Sequence, residues 1–341
     1  MRYSNSRRQL LKTMAASPIL LGFPTVSTSA AVDYRKLGRT NLSVSTVGFG
    51  GLSIALARSE QAQISELLNQ ALDSGLNILD TADCYGHPDA LHSETAIGKA
   101  VGHRRDEFVL TSKVGHENGN FGSNSEWSAE SLSRTIDRSL KRLKTEHLDV
   151  VLLHGCSSKI LERGEATDAL KRAQTAGKIR FLGYSGDGAP LRTAIASDDF
   201  DVVQLTLNVF DQYAIDDTLP LAREKKIGVM VKRPIGNAVW RFSERPEFSY
   251  YHQYWDMLEK LDYAFFRPDR VSARDSDSAG GIALRFVTST PGVHTAIVGT
   301  TSIGRWGQNN RNVSAGPLDA DVYSDARKRW LDLADKDRMP S

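Results

Sequence analysis

The sequence predicts an α/β fold: a (β/α)8 barrel with an N-terminal β-hairpin and a long loop after the seventh barrel strand. Three observations carry this. Eight apolar runs of strand length recur along the 341 residues, stretches of helical period lie between them, and most runs end in a polar residue. The runs are mostly continuous rather than alternating, as in parallel strands covered on both faces. Eight strand–helix units without a separate linker close most simply as a barrel. A doubly wound sheet would place a glycine-rich fingerprint after its first strand. The stretch "VGFGGLSIA" has no GxGxxG.

Residues 1–31 read as a leader. "SRRQLLK" has the form of a twin-arginine (Tat) export signal, with Leu10 where phenylalanine is commonest; an apolar "MAASPILLGF" and a small-residue "STSAA" follow. The apolar part is shorter than the roughly 20 residues a spanning helix needs, so no stable membrane span is expected. The Tat translocase is the expected partner, with export to the periplasm or beyond. Residues 32–341 then form a single barrel domain. "YRKLGRTNLSVSTVGFG" opens it as a hairpin leading into the first strand. The eight strands are expected in "STVGFG", "LNILD", "FVLTSK", "LDVVLLH", "IRFLGYS", "DVVQLTLN", "IGVMVKR" and "HTAIVGT". In "SLSRTIDRSLKRL", Leu132, Ile136, Leu140 and Leu143 fall on one helical face. "QAQISELLNQALDSG" and "EATDALKRAQTAGK" also read as helices, stopped by Gly75 and Gly177. From Ile235 to Asp277 the chain is too long for an ordinary connection. It carries Trp240, Phe242, Tyr250, Tyr251, Tyr254 and Trp255, as a binding lid would.

Composition excludes several classes. The net charge is +2, but the first 31 residues hold Arg2, Arg7, Arg8 and Lys12 and no acid, leaving 39 basic and 41 acidic residues beyond them. No basic excess points to nucleic acid. Two cysteines, Cys84 and Cys156, cannot make a disulfide framework, a four-cysteine zinc site or a ferredoxin-like cluster; free thiols are expected, and no metal site is read.

Asp80, Lys113, His154, Ser185, Asn208, Lys232 and Thr300 all stand at or just past the end of an apolar run. In a barrel those ends meet on one face, where such enzymes hold their chemistry. Tyr85 follows Asp80 in "GLNILDTADCYG". A phenol is a poor acid, with a pKa of about 10. A nearby ammonium lowers that value, and Lys113 is expected to do so while Asp80 holds the lysine. Tyr85 could then protonate an oxygen gaining negative charge, with His154 hydrogen-bonded to the same oxygen. Such a site suits a carbonyl becoming an alcohol. None of these side chains delivers hydride, so a nicotinamide cofactor is implied. A glycoside hydrolase would need paired carboxylates, and only Asp80 is clearly placed.

From Tyr34 to about Asn309 the chain resembles the aldo-keto reductase superfamily. "GLNILDTADCYG" is similar to its Asp/Tyr segment, "LTSKVG" to its lysine segment, "SLKRLKTEHLDVVLLH" to its histidine segment and "PGVHTAIVGTT" to its eighth strand. The resemblance implies an oxidoreductase acting on a small-molecule carbonyl or alcohol, with Tyr85 as general acid beside Asp80, Lys113 and His154. It implies that Ser185 and Gln204 hold the nicotinamide carboxamide. Gly186 replaces the usual asparagine, and Lys232 stands where an aromatic often stacks on the nicotinamide. In "GTTSIGRWGQN", Thr300, Arg305, Gln308 and Asn309 match the segment that binds the adenosine phosphate. An arginine at a helix start suits the 2′-phosphate of NADP (NADPH), although Gly299 replaces a lysine that some members carry and NAD is the alternative. A cofactor-holding binding or regulatory protein of the same fold is the rival function.

Overall fold

Each of the eight apolar runs becomes a barrel strand. The computed structural model describes residues 31–57, 59–86, 91–116, 127–266 and 278–336, so the leader reading of residues 1–31 lies outside the described residues except at Ala31. The hairpin is β1 (Tyr34–Lys36) and β2 (Ser43–Ser45), antiparallel with Tyr34 opposite Ser45. The barrel strands are β3 (Val47–Gly50), β4 (Ile78–Asp80), β5 (Val109–Val114), β6 (Leu148–His154), β7 (Ile179–Ser185), β8 (Val202–Thr206), β9 (Gly228–Lys232) and β10 (Thr295–Val298). All pair in parallel in chain order, and β10 closes on both β9 and β3.

The hairpin plugs one end of the barrel. Leu37, Leu42 and Val44 pack on Ile78, Val109, Val150, Leu152, Val202, Met230 and Ile297, which point inward from the strands. Leu37 is fully buried, and such burial stabilises by roughly 1.5–3 kcal/mol. The hairpin tip needs Gly38, whose φ is +56° and whose absent Cβ would lie 2.1 Å from the Gly228 nitrogen. Strand residues of the other parity, among them Leu79, Leu110, Val151, Leu153, Val203 and Val231, face the surrounding helices.

Helices form where the 3.6 period appears. Ala129–Leu143 buries Leu132, Ile136 and Leu143; Ser128 caps it by accepting from the Ser131 N–H at 3.2 Å. Gln61–Asp73 and Glu165–Thr175 stop before Gly75 and Gly177, both at positive φ. In its described part, the long loop after β9 carries the short helical turns Gly236–Arg241, Ser249–Tyr251 and Ala264–Phe266 and the α-helix His252–Leu261. Trp240 stacks on Phe266 with ring centroids 4.6 Å apart. The rest of that loop, residues 267–277, lies outside the described residues.

Candidate active site

Strand parity gathers the candidate residues. Side chains alternate between faces along a strand. Asp80 stands two residues past inward Ile78, Lys113 four past Val109, and His154 two past Leu152. Gln204 and Lys232 stand two past Val202 and Met230, and Ser185 four past Phe181. All six therefore share the inward parity at one barrel end. Register aligns them: Asp80 is opposite Thr111, Lys113 opposite Leu152, and His154, Ser185 and Gln204 run across β6, β7 and β8. There they meet a cavity of about 1080 Å³, lined by Asp80, Tyr85, His154, Ser185, Gln204, Lys232, Thr300, Arg305, Gln308 and Asn309. Lys113 lies just behind that wall, 1% exposed.

The charged centre is a buried pair. Lys113 Nζ donates to Asp80 Oδ2 at 2.6 Å and to the Thr81 carbonyl at 2.9 Å, while Asp80 Oδ1 accepts from the Thr111 hydroxyl at 2.8 Å. Burial works to lower the Lys113 pKa, but the Asp80 carboxylate and then Tyr85 together outweigh it and hold the ammonium above its ordinary value. Lys113 Nζ lies 4.9 Å from the centroid of the Tyr85 ring. The expected lowering of the Tyr85 pKa does not survive: burial pushes the phenol up to about 12, with the Lys113 charge opposing. Desolvation of a phenolate in this wall exceeds the attraction of an ammonium already neutralised by Asp80. Tyr85 thus holds its proton at neutral pH, as a proton donor must.

His154 sits beside Tyr85, with ring centroids 5.9 Å apart. Burial, then the charge of Lys113, depresses its pKa well below the usual histidine value, so the imidazole is neutral. Its Nδ1 is 3.5 Å from Cys84 Sγ. Both cysteines are free thiols.

The cofactor side contains open valences. The Ser185 hydroxyl donates to Gln204 Oε1 at 3.0 Å, and Gln204 Nε2 is buried with no partner among the described residues. That leaves two amide hydrogens needing an acceptor at the cavity wall, as a carboxamide oxygen would supply. The residues present therefore fit a nicotinamide. Gly186 is a glycine for a steric reason: a Cβ there would lie 2.6 Å from the Tyr184 ring, which is pinned by its hydroxyl's bond to the Cys156 carbonyl. Lys232 lines the cavity, but its Nζ is tied to Asp187 Oδ2 at 2.8 Å, and Asp187 also accepts from Thr206. Beyond β10, Arg305 opens the helix Arg305–Ser314 and donates to Gln308 Oε1 at 2.7 Å. The Thr300 hydroxyl accepts from the Ser302 N–H at 3.0 Å. Asn208 is structural: Oδ1 accepts from Phe210 N–H and Nδ2 donates to the Arg233 carbonyl.

Several cavity residues escaped the sequence reading. Asn312, 3% exposed and with Oδ1 unpartnered among the described residues, stands at i+7 from Arg305. With Gln308 and Asn309 it completes one helical face, a spacing that could have found it. Asp187 shares the parity of Ser185 just beyond β7. His116 also lines the cavity, with its ring centroid 5.1 Å from that of His154. Trp240, Tyr250 and Tyr251 of the long loop also line the cavity.

The aldo/keto reductase family model matches residues 46–330. The chain is 27% identical over 297 residues to the uncharacterized oxidoreductase YqkF of Bacillus subtilis, covering 83% of this chain and 92% of that protein. It is 27% identical over 232 residues to L-galactose dehydrogenase of Arabidopsis thaliana, covering 64% and 70%. Among solved structures, the aldo-keto reductase AKR11C1 from Bacillus halodurans in its holo form is similar at a TM-score of 0.74 and 26% identity, over 88% of this chain and 96% of that one. The barrel, the inward residues gathered at one of its ends and a match across most of the sequence lead to one conclusion: this chain belongs to the aldo/keto reductase family of oxidoreductases.

Proposed function

We propose that the protein interconverts an aldehyde or ketone and the corresponding alcohol with a nicotinamide nucleotide, Tyr85 moving the proton. The observation that carries this is the protonated Tyr85 phenol beside the buried Lys113–Asp80 pair and neutral His154, with Asp80, Tyr85 and His154 lining one cavity. The nucleotide, when bound, supplies or accepts the hydride. Tyr85 gives its proton to the carbonyl oxygen, and the Lys113 ammonium stabilises the phenolate left behind. His154 donates a hydrogen bond to the same oxygen and orients it. Gln204 and Ser185 would hold the carboxamide, and Lys232 braces the adjoining wall through Asp187.

Arg305, Gln308, Asn309 and Thr300 would hold the adenosine phosphate, and a guanidinium at a helix start favours NADPH over NADH. The deciding experiment is Tyr85→Phe. Carbonyl reduction should be abolished while nucleotide affinity stays nearly intact; retention of most of kcat would remove the assignment. We further propose that residues 1–31 direct Tat export to the periplasm, supported by the order of paired arginines, apolar segment and small residues. Among the described residues no helix is long and apolar enough to cross a membrane.

A further inference from the structure

Cys84 immediately precedes Tyr85, and both side chains lie against His154. The Cys84 Sγ lies 3.5 Å from His154 Nδ1. His154 lines the cavity and Cys84 does not. The two nitrogens of an imidazole sit on different edges of the ring. With Nδ1 engaged by the cysteine, Nε2 is the nitrogen left for a partner other than Cys84.

We infer that Cys84 is a positioning residue: its S–H donates to His154 Nδ1 and so fixes the ring proton on Nε2, where it can meet the substrate's carbonyl oxygen. This rests on the reading of His154 as donor to that oxygen. A neutral imidazole carries one N–H, and the hydrogen bond at one nitrogen decides which. The protonation states agree. Burial pushes the Cys84 thiol up to about 12, so it keeps its proton, and burial holds His154 neutral. The opposite tautomer would aim an Nε2 lone pair at an oxygen gaining negative charge, a repulsive arrangement. A thiol is a weak donor, so the expected contribution is that of one modest hydrogen bond.

The test is nitrogen-15 NMR of histidine-labelled full-length protein without ligand, with His154→Gln used to assign the signals. Wild type should show a pyridine-type Nδ1 and a pyrrole-type Nε2 for His154. Cys84→Ser should preserve this pattern. Cys84→Ala and the near-isosteric Cys84→Val should lose the single tautomer, and kcat should fall by about 3- to 10-fold with nucleotide affinity unchanged. Two variants guard against one that fails to fold. A pyrrole-type Nδ1 in wild type, or an intact Nε2 tautomer in either donor-free variant, overturns the inference whatever the rates. Because the spectrum is read without turnover, it stands apart from Tyr85→Phe: retained activity there would remove the functional reading and leave the tautomer result in place.

Discussion

Replacing Lys113 by methionine isolates the charge that makes Tyr85 usable as an acid. Methionine keeps an unbranched apolar stem of similar length, so the change is chiefly electrostatic. With Nζ 4.9 Å from the ring centroid, an effective dielectric of about 20 gives roughly 3 kcal/mol of attraction for a phenolate. Asp80, 2.6 Å from the same nitrogen and so no more than about 7.5 Å from the ring centroid, repels a phenolate by at least about 2 kcal/mol. The variant loses the full attraction if Asp80 stays charged and about 1 kcal/mol if it takes up a proton, a midpoint of about 2 kcal/mol. That equals about 1.5 pKa units, added to a phenol already pushed up to about 12. In kcat it corresponds to a loss of about 5-fold to 30-fold, according to how far proton transfer has advanced at the transition state. The assay is kcat at saturating nucleotide and aldehyde, with nucleotide affinity and circular dichroism measured on the same sample. Lys113→Met also strands the Asp80 carboxylate, so Asp80→Asn combined with Lys113→Met is the control for folding. A folded Lys113→Met protein within about threefold of wild-type kcat would refute the reasoning.

The cofactor and pH readings give further tests. Arg305→Ala should weaken NADPH binding by roughly 1.5–3 kcal/mol, as for a hydrogen bond to a charged group, and hardly change NADH binding; equal losses would show that Arg305 does not read the 2′-phosphate. With Tyr85 titrating near 12 and His154 neutral, kcat/KM for carbonyl reduction should stay flat between about pH 6 and pH 9, because both groups keep their working forms. Alcohol oxidation needs the phenolate and should rise across that interval, and a falling limb in the reductive direction would contradict the assignment. Arg7→Lys with Arg8→Lys should block export and leave folded, nucleotide-competent protein in the cytoplasm, as read by fractionation and mass spectrometry of released nucleotide; normal export would remove the signal reading.

The barrel was legible because burial on both faces leaves strands as unbroken apolar runs, and each of the eight became one. The gathering of Asp80, Lys113, His154, Ser185 and Lys232 was legible too, because barrel closure brings strand ends together whatever their distance in sequence. Gln204 entered only through the family resemblance, and Asn208, read with the strand ends, instead ties Phe210 to Arg233. Other features depend on packing that no local pattern displays. Lys232 is bound to Asp187, 45 residues away, and Gly186 answers to the ring of Tyr184. The pKa of Tyr85 went the other way from expectation because a motif shows the neighbouring lysine and not the desolvation. The sequence marks Cys84 only as a free thiol, since its partner His154 lies 70 residues on.

The loop carrying Tyr85 is held by charges outside the cavity. Asp83, 4% exposed, accepts from Arg138 at 2.7 Å through both carboxylate oxygens and from Arg142 at 2.8 Å. Its carbonyl contacts His92 Nε2 at 2.8 Å, and the Tyr85 carbonyl accepts from the Ser93 N–H at 2.8 Å. Glu94 reaches Ser112 beside Lys113 and also meets Arg142, at 3.4 Å. This network exists because two helices approach closely: a Cβ on Gly98 would lie 2.2 Å from the Arg142 carbonyl oxygen. Parity can orient Asp80, Lys113 and His154, since they lie on strands, but Tyr85 lies beyond β4 and has no strand to aim it. The arginines of Ala129–Leu143 do that work from the outside. Placement of the acid therefore depends on helix packing, whereas placement of the residues around it depends on strand register.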